Sequence, residues 1–169
     1  MLIAFAGLPG TGKSTIARAL AEALDAVWLR VDSIEEAIID QQVLRAGVDG
    51  AGYAVAYRLA QDNLAVGRTV IGDCVNPWML TRDAWRRVGV NAGVRVLEIE
   101  VICTDRVEHR RRVELREATV SGPRRLSWDD VIGRDYHAWT RDRLVLDTAH
   151  DDLATCLDRA RQAAIRSAA

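Results

Sequence analysis

Nine residues near the amino terminus have the types and spacing for chemistry on a phosphate. Gly7-Leu8-Pro9-Gly10-Thr11-Gly12-Lys13-Ser14-Thr15 fits G-x-x-x-x-G-K-[ST], the phosphate-binding loop. Gly7, Gly10 and Gly12 admit backbone angles that a side chain would forbid, so successive N–H groups can turn inward around an anion. Lys13 places a flexible point charge on the outer phosphates; it is the only lysine in a chain rich in arginine. The Ser14 hydroxyl is the expected magnesium ligand, and Thr15 is expected to pack or bond behind it.

Other elements must hold that loop. Met1 to Ala6 is short, apolar and strand-like. Ile16, Ala19, Leu20, Ala23 and Leu24 have the spacing of one helix face, and that helix points its positive end at the bound anion. Ala26 to Val31 reads as a second strand. Ser33 reads as an N-cap with Glu36 completing a capping box, which leaves Asp32 at a strand's carboxyl end, where open α/β sheets bind ligands. Tyr53 to Val66 reads as a helix ended by Gly67. Arg68 to Gly72 is the third strand, closed by Asp73, whose carboxylate suits magnesium, its water shell or an acceptor. Asn76-Pro77-Trp78 breaks the chain before a helix over Thr81 to Val88. Asn76, Trp78 and Arg82 follow the third strand at the ligand edge and are the candidates for an acceptor pocket.

Val94 to Cys103 forms the fourth strand, and Thr104 or Asp105 caps the next helix. On that helix Arg106, Arg110 and Arg111 are expected to be solvated or paired with Glu108 and Glu114, and His109 to be exposed. Thr119 to Ser127 reads as a loop and Trp128 to Trp139 as a helix. Leu144 to Asp147 is the fifth strand, leading to Thr148, and an amphipathic helix runs from His150 or Asp151 to the end. Tyr53, Tyr57 and Trp85 are expected in the core. Strands alternating with helices predict a three-layer α/β/α fold around a five-stranded parallel sheet, in one domain over 1–169.

Bulk properties exclude several classes of function. The chain has 169 residues, 49% hydrophobic and 28% charged, with a formal net charge of -1, so no global field draws it onto nucleic acid or membrane. No apolar run approaches the roughly 20 residues of a membrane span, and the amino terminus lacks the charged start of a signal peptide; a cytoplasmic protein is expected. Cys74, Cys103 and Cys156 are odd in number and lack metal spacing, so reduced, buried or incidental thiols are expected; Cys74 beside Asp73 is a candidate for reactivity, with packing favoured.

The residues around the loop narrow the class. Asp73 is followed by Cys74, not by the water-polarising glutamate of motor-type ATPases, and a single lysine at position 13 excludes an Asn-Lys-x-Asp guanine motif. What remains is a kinase arrangement, with a second carboxylate at Asp32 and an arginine-rich helix. Over nearly its whole length the sequence resembles the small phosphate-loop kinases that include chloramphenicol phosphotransferase, zeta toxins, adenylylsulfate kinase, gluconate kinase and polynucleotide kinases. Val31-Asp32-Ser33-Ile34 is similar to the chloramphenicol phosphotransferase pattern, in which the aspartate activates the acceptor hydroxyl. Arg112 and Arg116 match the group's lid arginines, in a lid spanning about 105–127, and Asp142 to Thr148 resembles the final strand and the loop that edges the base.

The resemblance implies ATP and Mg2+ as cofactors and a small hydroxyl compound as acceptor, with Asp32 as base. One of Arg112 and Arg116 would stack on adenine and the other bridge phosphates, in either assignment. A nucleotide or polynucleotide 5′-hydroxyl kinase and a non-catalytic ATP-binding regulator are the rivals. Acidic residues interrupt the arginine clusters, which disfavours nucleic acid. A monomer and a homodimer are both compatible with the sequence.

Overall fold

The computed structural model describes residues 1–41, 50–119 and 126–166; the side chains of 116–119 lie outside that description. Five strands, β1 (Leu2–Ala6), β2 (Val27–Arg30), β3 (Val70–Asp73), β4 (Val96–Ile102) and β5 (Leu144–Asp147), form one parallel sheet in the order β2-β3-β1-β4-β5. The helices are α1 (Lys13–Leu24), α2 (Val31–Asp40), α3 (Ala51–Ala65), α4 (Met79–Asn91), α5 (Arg106–Thr119), α6 (Trp128–Ile132) and α7 (Leu153–Arg166). This is the three-layer phosphate-loop fold expected from the alternation of elements.

Side-chain alternation along β1 explains the layers. Ile3 and Phe5 pack with Ile16 and Leu20 of α1 and Ala160 and Ala164 of α7. Leu2 and Ala4 face the other way, onto Ala56, Ala60 and Leu64 of α3 and Trp85 and Val88 of α4. β1 is therefore buried on both faces, as the central strand of a parallel sheet must be. After β1 the chain crosses to β2 on one side, and after β3 it crosses to β4 on the other. The crevice at the carboxyl ends of β1 and β3 is thus the switch point where such sheets bind ligands.

Two expected elements differ. Helix α2 starts directly at the end of β2, with Arg30 as its N-cap and no side-chain cap. Ser33 lies inside the first turn, so the expected capping box with Glu36 does not form. The Ser33 hydroxyl instead accepts from Arg30 Nη1 at 3.0 Å. The helix expected over Trp128 to Trp139 stops at Ile132, capped at its start by a Ser127–Asp130 box. Residues 134–143 run on as an extended strap, because β4 turns Glu98 and Glu100 to the face it crosses. Arg141 holds Glu98 through two 2.6 Å bonds and also pairs with Asp83. Arg143 holds Glu100 at 2.7 Å, and the Tyr136 hydroxyl donates to Glu100 at 3.0 Å. Carboxylates this buried need such partners, and a continued helix could not supply them all.

Candidate active site

Gly7 leaves β1 where no side chain fits: a Cβ there would lie 2.3 Å from the Val101 carbonyl oxygen, and its φ is 144°. Its N–H donates to Val75 O at 3.1 Å, so the loop starts wedged between the extension of β3 and the end of β4. Thr11 closes the turn, its hydroxyl donating to Leu8 O at 2.9 Å. Gly12 is the N-cap of α1 with φ 86°; no side chain caps that end and no acid occupies its first turn. The helix's partial positive charge is thus left for an anion in the loop. Ser14, in that first turn, is partly exposed. Thr15, expected to pack or bond behind it, is exposed instead, because the core face of α1 runs through Ile16, Ala17 and Leu20.

Lys13 and Asp73 meet. Lys13 Nζ lies 3.0 Å from Asp73 Oδ1, with the two side chains 8% and 0% exposed. The other carboxylate oxygen accepts from Trp28 Nε1 at 3.2 Å. Trp28 was not among the expected site residues. Its alternation in β2, two residues before Arg30 and in register beside β3, was the signal that could have found it.

Asp32 sits one strand further along the same edge. Arg30 pairs in register with Asp73, and Asp32 follows two residues later in the first turn of α2. Its carboxylate is 33% exposed and lies 3.4 Å from Arg30 Nη2. As the only acid in that turn it also offsets the helix's positive end, a task expected of the cap that does not form.

The loop after β3 is built differently from expectation. Asn76 is buried at φ 51°, with its N–H donating to the Tyr53 hydroxyl at 3.0 Å and its carbonyl accepting from Arg82 Nε at 3.0 Å. Arg82 was expected to line an acceptor pocket. It is 1% exposed and ties backbone carbonyls together: Asn76, Pro77 at 3.0 Å and Ala138 at 3.4 Å. Its guanidinium also lies over the rings of Tyr136 and Trp139. It joins the post-β3 loop to the strap, and burial pulls its pKa down. Trp78 is 44% exposed, with its indole donating to Asp135 on the strap at 3.1 Å. Cys74 is packed, 1% exposed, and burial pushes its thiol pKa up to about 12, in line with the packing role.

Helix α5 completes the site. Asp105 caps it by accepting from the N–H groups of Val107 and Glu108. Arg112 Nε bonds Glu108 at 2.7 Å, while Nη1 and Nη2 donate to the Thr148 hydroxyl at 2.7 Å and carbonyl at 3.1 Å. The Thr148 hydroxyl donates to the Thr11 carbonyl at 2.8 Å. Arg112 and Thr148, far apart in sequence, are thereby joined to the phosphate loop. Arg110 pairs with Glu114 and Arg111 with Glu108 as expected. The side chain of Arg116 lies outside the described residues, as do 120–125 of the expected lid. His109, expected to be exposed, is 6% exposed, with Nε2 2.8 Å from the Pro9 carbonyl oxygen. Its position four residues before the core residue Val113 on one helix face was the available signal.

These residues suit a nucleotide and Mg2+. Among the described residues no cluster of three or more His, Cys, Asp or Glu could hold a metal unaided. The hydroxyl of Ser14 and the carboxylate of Asp73 are hard oxygen donors of the kind that hold Mg2+ jointly with phosphate oxygens. No described helix is long and apolar enough to cross a membrane.

A family model described as an AAA domain matches residues 2–132. No curated protein matches the chain. Among solved structures, a candidate kinase from Chloroflexus aurantiacus j-10-fl is 21% identical with a TM-score of 0.77, covering 98% of this chain and 96% of its own. The Mycobacterium tuberculosis APS kinase CysC, in complex with AMPPNP and APS, is 18% identical with a TM-score of 0.73, covering 97% and 96%. A gluconokinase from Sinorhizobium meliloti 1021 is 18% identical with a TM-score of 0.65, covering 97% and 91%.

Proposed function

The chain belongs to the AAA domain family, and from that premise and its site we propose that it is an ATP-dependent phosphotransferase acting on a hydroxyl of a small molecule. The observation that carries the proposal is the pairing of Lys13 with a buried Asp73 at the carboxyl edge of the sheet, with the part-exposed Asp32 beside it. The kinase character of the structural neighbours supports it.

In this reading the loop amides and the start of α1 hold the phosphates of ATP, and Lys13 exchanges its carboxylate partner for the outer phosphate oxygens. Ser14 and Asp73 would hold Mg2+, which supplies charge neutralisation between the phosphates. Asp32 takes the acceptor's proton as its oxygen bonds to the γ-phosphorus and the bond to ADP breaks. Arg112, beside the loop through Thr148, offsets charge on the transferring group, and Arg116 is assigned the same task. Trp78, 44% exposed, is proposed to border the acceptor, since it follows Asp73 on the same edge; Asn76, buried like Arg82, holds the loop instead.

Labelled ATP offered with a panel of sugars, antibiotics and metabolites, and separately with a 5′-hydroxyl oligonucleotide, tests the reading. Label on a small hydroxyl compound, reduced at least about a hundredfold in Asp32→Asn, is the expected result. Transfer to the oligonucleotide alone would overturn the acceptor class, and wild-type transfer by Asp32→Asn would overturn the base.

A further inference from the structure

Helix α5 is seated on the phosphate loop by His109 and Val113. A Cβ on Gly10 would lie 2.6 Å from Val113 Cγ2 and 3.2 Å from His109 Cδ2, so the helix and the loop backbone are in direct contact. The imidazole is held from behind by Trp128, whose ring meets it edge-on at 5.1 Å. A carbonyl oxygen can only accept, so the 2.8 Å contact requires a proton on Nε2 donated to Pro9 O.

The Pro9 carbonyl and the Gly10 N–H belong to one planar trans peptide and point in opposite directions. With the carbonyl pinned toward α5, the Gly10 amide points away from that helix. We propose that His109 is a positioning residue for the nucleotide: it aims the Gly10 N–H at the phosphates and couples the loop to the helix that carries Arg112. The inference rests on the nucleotide-binding reading above. Arg112 lies three residues further along α5 and reaches the loop by a separate route, through Thr148 and the Thr11 carbonyl, so one helix grips the loop at two points.

The test compares MgATP affinity, and the Gly10 amide NMR shift on adding MgADP, in five forms of the full chain. These are wild type, Lys13→Ala, His109→Leu, His109→Gln and Val131→Ala. His109→Leu removes the donor and should weaken MgATP binding about tenfold, the scale of one buried hydrogen bond, and abolish the Gly10 shift. His109→Gln keeps an N–H near Nε2 and should recover most of the affinity. Val131→Ala trims the small core shared by Val113 and Trp128, and should lower thermal stability with affinity unchanged. Should His109→Leu fail to fold, His109→Asn, whose amide is too short to reach Pro9 O, replaces it. Wild-type affinity in the donor-free variant, or an equal loss in Val131→Ala, overturns the positioning role. Absence of MgATP binding in wild type, or undiminished binding in Lys13→Ala, overturns the nucleotide reading itself and His109's role with it.

Discussion

Lys13→Ala should destabilise the nucleotide-free protein, a result not expected of a lysine that waits in solvent for phosphate. In this chain Lys13 is the charged partner of an Asp73 carboxylate that is 0% exposed. Removing one member of a buried ion pair typically costs about 3–5 kcal/mol, because the remaining charge is left desolvated. Trp28 Nε1 still donates to the other oxygen at 3.2 Å, which places the expectation at the lower end, about 3 kcal/mol. For a chain of this size each kcal/mol is worth about 2–4 °C, so the melting temperature should fall by roughly 6–12 °C. Asp73→Asn combined with Lys13→Ala should recover much of that loss while leaving MgATP binding abolished. The assay is urea and thermal unfolding of the two single variants, the double variant and wild type without nucleotide, analysed as a double-mutant cycle. A Lys13→Ala variant unfolding within about 0.5 kcal/mol of wild type, with no coupling to Asp73, would refute the argument.

Three other outcomes follow from contacts of the same kind. Gly10→Ala should lose about 2–4 kcal/mol, since the residue keeps φ 85° and its new methyl would meet Val113 Cγ2 at 2.6 Å; urea midpoints measure it, and a neutral effect would deny the α5–loop contact. Arg141→Ala leaves Glu98, 3% side-chain exposed, paired among the described residues with Arg86 alone, at 3.8 Å, and should cost about 3 kcal/mol by the same unfolding assay. The guanidinium groups of Arg111 and Arg112 hold the Glu108 carboxyl at a pKa of about 2, below its ordinary value, so its contribution is present above the unfolded pKa of about 4.3 and lost as pH falls toward 2. Glu108→Gln should therefore flatten the acid limb of the stability profile in that window, and parallel profiles for the two proteins would contradict the pairing.

The reach of local sequence is clearest at the phosphate loop. Its glycines, its lysine and the apolar runs on either side dictate strand, turn and helix through short-range constraints, and the alternation of elements then dictates the parallel sheet. Asp73 was legible because an apolar strand ending in a carboxylate is a local pattern. Asp32 was placed at the correct edge for a partly mistaken reason: the Ser33 cap does not form, since α2 continues straight out of β2. Whatever depended on partners distant in the chain was not legible. Arg82 reads as an acceptor-pocket residue until the carbonyls of Asn76, Pro77 and Ala138 gather around it. His109 reads as one more polar residue on a charged helix until α5 is laid on Pro9. The strap over Glu98 and Glu100 is set by the desolvation of two carboxylates on a strand about forty residues earlier, which no helical periodicity around Trp128 records. The sequence alone thus determined the phosphate loop, the two edge carboxylates and the layer order, because each follows from neighbours within a few residues. Only the tertiary structure decided which carboxylate Lys13 holds, what binds Arg82 and what seats the loop, because buried charges and buried donors take partners by proximity in space.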